Sequence, residues 1–126
     1  MTGRRRGFTL VELLVVMAII ATLLTIAVPR YARSLQRSRE SVLRQDLATL
    51  RESIDKFYGD TGKYPATLAV LVEKRYLRGV PIDPMTKAAD RWIVVPNTDD
   101  PDDAGIKDVK SGADGKGENG IPYVQW

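Results

Sequence analysis

GFTLVELLVVMAIIATLLTIAV, residues 7–28, is an apolar segment in which Glu12 is the single charged residue. From Phe8 to Val28 it would be about 31 Å long as a helix, at about 1.5 Å per residue, which matches the roughly 30 Å hydrocarbon core of a bilayer. Arginines at residues 4–6 directly precede it. Because cationic residues on a short N-terminal side hold that end in the cytoplasm, we predict one membrane span with the later chain outside.

Glu12 is the anomaly of this segment, because a carboxylate costs about 2.5–3.5 kcal/mol at the bilayer centre and somewhat less near an end. The segment contains no Lys, Arg or His that could neutralise it. One interpretation is a glutamate whose carboxylate reaches the headgroups. The other is a partner from another chain, because a cut between Gly7 and Phe8 would create an amino group about one turn away, able to pair with Glu12 of a neighbouring subunit.

The sequence Arg-Arg-Gly, followed by Phe-Thr-Leu-Val-Glu and a long apolar run, resembles the class III signal of type IV pilins and pseudopilins. The resemblance implies that residues 1–7 are a leader, that a prepilin peptidase cuts between Gly7 and Phe8, and that the new N-terminal Phe8 is methylated. It also implies that Glu12 serves the assembly of a filament. An ordinary secretory signal is the competing interpretation, but its apolar core is typically only about 7–15 residues long.

Composition narrows the function further. The chain has 126 residues, a formal net charge of +3, and neither histidine nor cysteine. The arginines at residues 4–6 account for the whole net charge, so the basicity serves targeting and we predict no nucleic-acid partner. Because histidine and cysteine are absent, the usual zinc ligands and the usual nucleophile–base pairs are missing, and we predict that the chain is not an enzyme.

Pro29 falls at the end of the apolar run, and a proline inside a helix removes one hydrogen bond and clashes with the preceding turn. One interpretation is that the helix stops there. Against it, apolar residues later recur in steps of 4, 3, 4 and 3, which is typical of an amphipathic helix: Leu43, Leu47, Leu50, Ile54 and Phe57. We therefore predict one helix over residues 9–58 with a kink at Pro29. A coiled-coil dimer is the alternative, although the repeat covers only about two heptads.

The outer face of this helix carries charged side chains, and Glu40 is expected to pair there with Arg44, four residues later. Beyond the helix we predict a short helix over residues 68–75 capped by Thr67, strands over 91–96 and 106–109 joined in a hairpin, and a closing segment over 121–126 that could add a third strand. Tyr123 and Trp126 are expected to hold that segment against the long helix.

The predicted fold class is α+β and pilin-like, with a long N-terminal helix, membrane-spanning in its first half, packed against a small C-terminal antiparallel β-sheet. The predicted parts are a leader over residues 1–7, a transmembrane and assembly helix over 8–28, an amphipathic helix over 29–58 that continues into the globular domain, and a C-terminal globular α+β region over 59–126.

Further stretches resemble the major pseudopilin of type II secretion systems, often called the G subunit. They are Gly-Lys-Tyr-Pro at 62–65, Tyr-Leu-Arg-Gly-Val-Pro-Ile-Asp-Pro at 76–84, Ser-Gly-Ala-Asp-Gly at 111–115 and the closing tryptophan, Trp126. One departure is Asp-Pro-Met-Thr at 83–86, where the group typically has Asp-Pro-Trp-Gly.

A second departure concerns calcium, which G subunits bind in their C-terminal loop. Asp114 matches the first ligand position, but no aspartate follows it, and Glu118 and Asn119 are the only candidates for the others. Calcium favours six to eight oxygen ligands with several carboxylates. We therefore predict no metal site and no cofactor, with Asp114 as a weak calcium candidate; the aspartates of residues 97–103 are another conceivable cation site, although such charge runs are usually solvated.

These resemblances imply a structural subunit of a type II secretion pseudopilus, held in the inner membrane with a cytoplasmic N-terminus and a periplasmic C-terminal domain. The implied partners are other pseudopilins in a polymer, the prepilin peptidase and an inner-membrane assembly platform. The alternative is a major or minor pilin of a type IV pilus, used for adhesion, motility or DNA uptake. A single-pass periplasmic enzyme or binding module is a third hypothesis, which the missing histidine and cysteine disfavour.

Overall fold

The computed structural model of the chain describes Gly3 and residues 6–126. Its elements are a long helix α1 (Leu10–Thr61), a short helix α2 (Leu68–Glu73), strands β1 (Ile93–Pro96) and β2 (Ile106–Lys110), and a closing 3-10 turn (Tyr123–Gln125). The chain divides into two compact units, Met1–Gln36 and Arg37–Trp126. The predicted α+β, pilin-like class is confirmed.

Helix α1 begins with a reciprocal cap. The main-chain N–H of Thr9 donates to Glu12 Oε2 at 3.2 Å, and the N–H of Glu12 donates to Thr9 Oγ1 at 3.1 Å. This arrangement satisfies helix N–H groups that have no partner inside the helix. Because Thr9 acts as the cap, the first helical residue is Leu10, one later than predicted.

Pro29 lies inside α1, and the helix continues past it to Thr61. The interpretation in which the helix stops at the proline is therefore wrong. Proline has no N–H to donate to the carbonyl four residues earlier, which is that of Thr25. A kink at Pro29 stays a prediction, with this lost hydrogen bond as its cause.

The part of α1 within Arg37–Trp126 buries one face. Its buried apolar residues follow the predicted steps of 4, 3 and 4, namely Leu43, Leu47, Leu50 and Ile54. They pack with a set of buried residues from the later chain: Leu71, Leu77, Trp92, Ile106, Val109, Ala113 and Tyr123. Fully burying one such aliphatic side chain contributes about 1.5–3 kcal/mol, so this cluster is the main source of stability in the unit.

Strands β1 and β2 form the predicted antiparallel hairpin, with Val94 opposite Val109. Pro96 pairs with Ile106 across an irregularity in the register, at the end of β1, where its missing N–H is tolerated. Trp92, predicted to lie within the strand, precedes β1 and is buried, and its indole N–H donates to the carbonyl of Pro81 at 2.9 Å.

Three local predictions need correction. Helix α2 ends at Glu73, and Thr67 occupies the cap position without a side-chain capping hydrogen bond. The predicted third strand is wrong, because residues 123–125 form a 3-10 turn and only an isolated bridge joins Lys116 to Pro122. Pro122 cannot donate to a ladder, and a positive φ at Gly120 turns the chain just before it.

Candidate functional site

The first functional surface is the apolar part of α1 within Met1–Gln36. Every large hydrophobic side chain from Phe8 to Tyr31 is exposed, with Phe8 at 87%. By length and composition α1 is able to cross a membrane, and its most apolar window has a mean hydropathy of 2.7 with none of it buried within the chain. Contiguous exposed apolar surface of this size marks contact with lipid or with other proteins.

The predicted processing residues lie at the entrance to this surface. Gly7 and Phe8 precede the first helical residue and are exposed, and a side chain added at Gly7 would meet no atom within 4 Å. With Arg6 and Glu12 they line a shallow pocket of about 360 Å³. The structure therefore brings three of the predicted site residues together: the two that flank the expected cut and the expected assembly carboxylate.

Thr9 also belongs to this site, although it is not among the predicted site residues. The apolar segment contains no Lys, Arg or His, whereas the structure gives Glu12 a hydrogen bond from the main chain of Thr9. The signal was present, because Thr-x-x-Glu ahead of an apolar run is the pattern of a capping box. The cap holds the Glu12 carboxylate at the start of the helix, near Phe8.

The second functional feature is Glu40, the one charged residue among the buried residues of α1. Its side chain is only 3% exposed, and Oε1 accepts hydrogen bonds from the Glu118 N–H at 3.0 Å and from the Tyr123 hydroxyl at 2.9 Å. The expected pair with Arg44 is not among the ion pairs of the described residues. A buried carboxylate requires such donors, and here they come from the C-terminal segment.

Three arginines seven residues apart on α1 contact the same C-terminal segment. Arg37 Nε donates to both carboxylate oxygens of Glu118, at 2.9 and 3.1 Å. The Arg44 guanidinium stands 4.6 Å from the Trp126 ring centroid. Arg51 donates to Asp108 at 2.8 Å and to the main-chain oxygen of Trp126 at 2.7 Å. The expectation that Tyr123 and Trp126 hold this segment against the helix is confirmed.

The segments that carried the G-subunit resemblance also meet. Ser111 donates its hydroxyl to the buried Asp83 carboxylate at 2.5 Å, which joins the stretches at 76–84 and 111–115. Burial, and secondarily the nearby Asp83 carboxylate, raises the pKa of Asp46 on α1 above its ordinary value of 3.8. From the stretch at 62–65, the Tyr64 N–H donates to the Asp103 carboxylate at 3.0 Å and so holds the hairpin loop.

The residues suggested for calcium do not form a calcium donor set. Asp114 is exposed, Glu118 is paired with Arg37, and the Asn119 side-chain oxygen accepts from the Ile121 N–H at 3.0 Å. Over Gly3 and residues 6–126, no group of three or more acidic, histidine or cysteine side chains is placed to hold a metal ion. Calcium needs six to eight oxygens, so these residues do not fit the ion.

Three aspartates of residues 97–103, namely Asp99, Asp100 and Asp103, likewise have protein partners. Asp99 is paired with Lys107, and this hydrogen bond raises the pKa of the lysine ammonium. Asp100 accepts from the Asp102 N–H at 2.9 Å, and Asp103 accepts from Tyr64. These contacts join the hairpin loop to β2 and to Tyr64.

Proteins of known family are similar to this chain in sequence. Residues 2–28 match the prokaryotic N-terminal methylation motif. The chain is 28% identical to the type II secretion system core protein G of Dickeya chrysanthemi over 95% of this chain and 97% of that protein. It is 31% identical to the core protein G of Klebsiella pneumoniae over 64% of this chain and 69% of that protein.

Pilins are similar over a shorter stretch. The type IV major pilin protein PilA of Myxococcus xanthus is 38% identical over 48% of this chain and 28% of its own length. No solved structure matches the chain. The names of these relatives are those of pilus and secretion-system subunits and not of enzymes. The methylation motif, the long helix with its small sheet and the similarity to core protein G together show that the chain belongs to the pilin-like family of type II secretion system core protein G.

Proposed function

We propose that this chain is a structural subunit of a type II secretion pseudopilus, which is processed at its N-terminus and polymerises to drive protein export across the outer membrane. The observation that most supports this function is the exposed apolar length of α1. The first turn of this helix contains the Glu12 carboxylate, beside the accessible Gly7–Phe8 junction. Such a surface cannot be stable in water, and a bilayer and a filament of like helices are the two environments that cover it.

Processing is the first step of this proposal. A prepilin peptidase cuts the peptide bond between Gly7 and Phe8, and Phe8 is then N-methylated. The junction suits this reaction because it lies outside the helix and its side chains are exposed, so a protease can bind it in an extended conformation. The cut leaves the Thr9–Glu12 cap intact, because Thr9 keeps its main-chain N–H and its hydroxyl.

Assembly is the second step. The amine of the cut chain and the Glu12 carboxylate have opposite charges, and a carboxylate has acceptor capacity beyond the single hydrogen bond from Thr9. The Phe8 amine of one subunit pairs with Glu12 of its neighbour, which removes an unpaired charge from the apolar surroundings. Apolar helix segments of successive copies then cover one another, while the Arg37–Trp126 units remain in water.

Location and partners follow from the same features. The arginines that precede the apolar segment orient it with the N-terminus in the cytoplasm and Arg37–Trp126 in the periplasm. The partners are other pseudopilins, the prepilin peptidase and an inner-membrane assembly platform. A type IV pilin is the second candidate, favoured by the similarity to PilA. We favour secretion because the similarity to a core protein G extends over nearly the whole of both chains.

The test compares Glu12→Gln with Glu52→Gln, which changes an exposed glutamate on the same helix. We expect wild type to carry methylated Phe8 by intact mass and N-terminal sequencing of the protein from native membranes. Both variants should reach the membrane. Glu12→Gln should lower the yield of sheared filaments and the secreted fraction of exported proteins at least about tenfold. The loss of one charge pair in apolar surroundings costs more than about 1.4 kcal/mol, which corresponds to a factor of about ten in an equilibrium constant.

Three outcomes would count against this proposal. An uncut Met1 in a host with active prepilin peptidase would make residues 8–28 an ordinary anchor. Filaments from Glu12→Gln at the wild-type level would remove the pairing step. Long surface fibres on wild-type cells, together with normal protein export in a strain that lacks this protein, would favour the type IV pilin.

A further inference from the structure

We propose that the Glu40 carboxylate holds the C-terminal loop of this protein, where the resemblance to G subunits implies a bound calcium ion. The Arg37–Trp126 unit is therefore stable without that ion. The C-terminal loop is defined here as residues 111–126. This role does not depend on filament formation, because every contact that supports it lies within one chain.

The first step is the position of Glu40. It lies on α1, whereas the groups that it binds lie 78 and 83 residues later in the chain, the Glu118 N–H and the Tyr123 hydroxyl. Both donate to the same oxygen, Oε1. One carboxylate thus joins the middle of the C-terminal loop to its closing turn, which is what a bound cation achieves when it gathers oxygens from two parts of a loop.

The second step is charge balance. A calcium loop relies on the ion to offset its carboxylates, but here the protein supplies the cations. Within the loop, Glu118 pairs with Arg37 at 2.9 Å. Just before the loop, Asp108 of β2 pairs with Arg51 at 2.8 Å. Arg37 and Arg44 also flank Glu40 on α1, three residues before it and four after it, which are the spacings at which helical side chains are neighbours.

The third step is the internal order of the C-terminal loop. The Gly117 N–H donates to Ile121 at 2.9 Å, and the Tyr123 N–H donates to Gly115 at 3.1 Å. Gly115 has φ +96°, which favours glycine. A Cβ at Gly117 would overlap the Trp126 ring, so the ring packs directly on the loop backbone. These contacts determine the loop conformation while Asp114 remains exposed.

The experiment measures unfolding of the full-length processed protein in detergent, with excess CaCl₂ or with EGTA. Near-ultraviolet circular dichroism reports on the Arg37–Trp126 unit, which contains both tryptophans of the chain. We expect the same midpoint in both buffers, and no effect of Asp114→Ala in either.

The variants test Glu40 directly. Glu40→Ala removes the acceptor that the buried Tyr123 hydroxyl and the Glu118 N–H share, and should lower the midpoint by about 5–15 °C, with no rescue by calcium. Glu40→Gln keeps an acceptor oxygen and should lower the unfolding midpoint by less than Glu40→Ala does. Glu52→Ala, at an exposed site on the same helix, is the matched control and should leave the midpoint unchanged.

Hydrogen exchange separates a local role from a general loss of packing. In Glu40→Gln, and in Glu40→Ala below its midpoint, the amides of residues 115–123 should exchange at least about tenfold faster, while those of α1 at Leu50 and Ile54 should exchange at similar rates to the control. Stabilisation of wild type by calcium that Asp114→Ala abolishes would overturn the proposal. So would a Glu40→Ala midpoint equal to that of Glu52→Ala. Neither result would bear on filament assembly, which the Glu12 variants test.

Discussion

The two parts of helix α1 differ in what covers their leucines. Leu14 and Leu24, within Met1–Gln36, are 58% and 52% exposed, whereas Leu43 and Leu50, within Arg37–Trp126, are 0% exposed. The secondary structure and the residue type are the same. In the first part apolar residues surround the helix, and in the second they form one stripe, so the first part needs a partner outside the chain and the second finds its partner within it.

Polar side chains show the same difference. Thr22 and Thr25 donate their hydroxyls to carbonyls of their own helix, at 2.8 Å each, so they present no unpaired donor to an apolar surrounding. Ser53 donates instead towards both Thr49 of its helix and Tyr76 of the packed loop. The first part of α1 therefore satisfies its polar groups locally, while the second uses them to bind the rest of the unit.

The largest expected effect comes from one substitution made in both parts. Leu50→Ala should lower the free energy of unfolding by about 2–5 kcal/mol, because it removes buried methyl groups and leaves a cavity in the core. Leu24→Ala should change it by less than about 0.5 kcal/mol, because that side chain is about half exposed and lies outside the buried cluster. Denaturation of the full chain in detergent, followed by fluorescence of Trp92 and Trp126, measures both. Equal losses would contradict the division of α1.

A smaller effect is expected from two glycines that differ in their surroundings. An added Cβ at Gly112 would overlap the carbonyl oxygen of Arg91, whereas one at Gly59, in the last turns of α1, would meet nothing within 4 Å. Gly112→Ala should therefore cost about 1–3 kcal/mol through overpacking.

Gly59→Ala should stabilise the protein by about 0.5–1 kcal/mol, because alanine loses less backbone freedom in a helix. The same denaturation measurement checks both variants. Unchanged stability of Gly112→Ala would show that the C-terminal loop can move away from Arg91, and would weaken the inference that its contacts determine its conformation.

The smallest effect is a pH dependence from Asp46. Because burial raises the pKa of Asp46, the folded state binds its proton more tightly than the unfolded state. Stability therefore falls as pH rises through the ordinary and the raised pKa, and the charged carboxylate is a net cost at neutral pH. Asp46→Asn should raise the unfolding midpoint at pH 7 and should lose this advantage below the ordinary pKa of 3.8. Melting curves across pH, with Asp55→Asn at an exposed position as the control, test this sign.

Much of the fold was predictable because it rests on local chemistry. The stretch at residues 7–28, the steps from Leu43 to Ile54 and the hairpin of β1 and β2 all follow from apolar periodicity and from turn residues near in sequence. The predicted third strand failed because Pro122 and Gly120 turned the chain, a local signal that the aromatic and β-branched character of residues 121–126 obscured.

The candidate site divides in the same way. Glu12, Gly7 and Phe8 lie within six consecutive residues, so their proximity was determined by the chain alone. The need of the apolar segment for burial was determined in the same way. The role of Glu40 was decided only by the tertiary structure, because its donors are Glu118 and Tyr123, and no helical pattern indicates which carboxylate will face a loop 78 residues away. Periodicity shows which face of a helix is buried, but a charged residue on that face takes its partner from whatever the rest of the fold brings there.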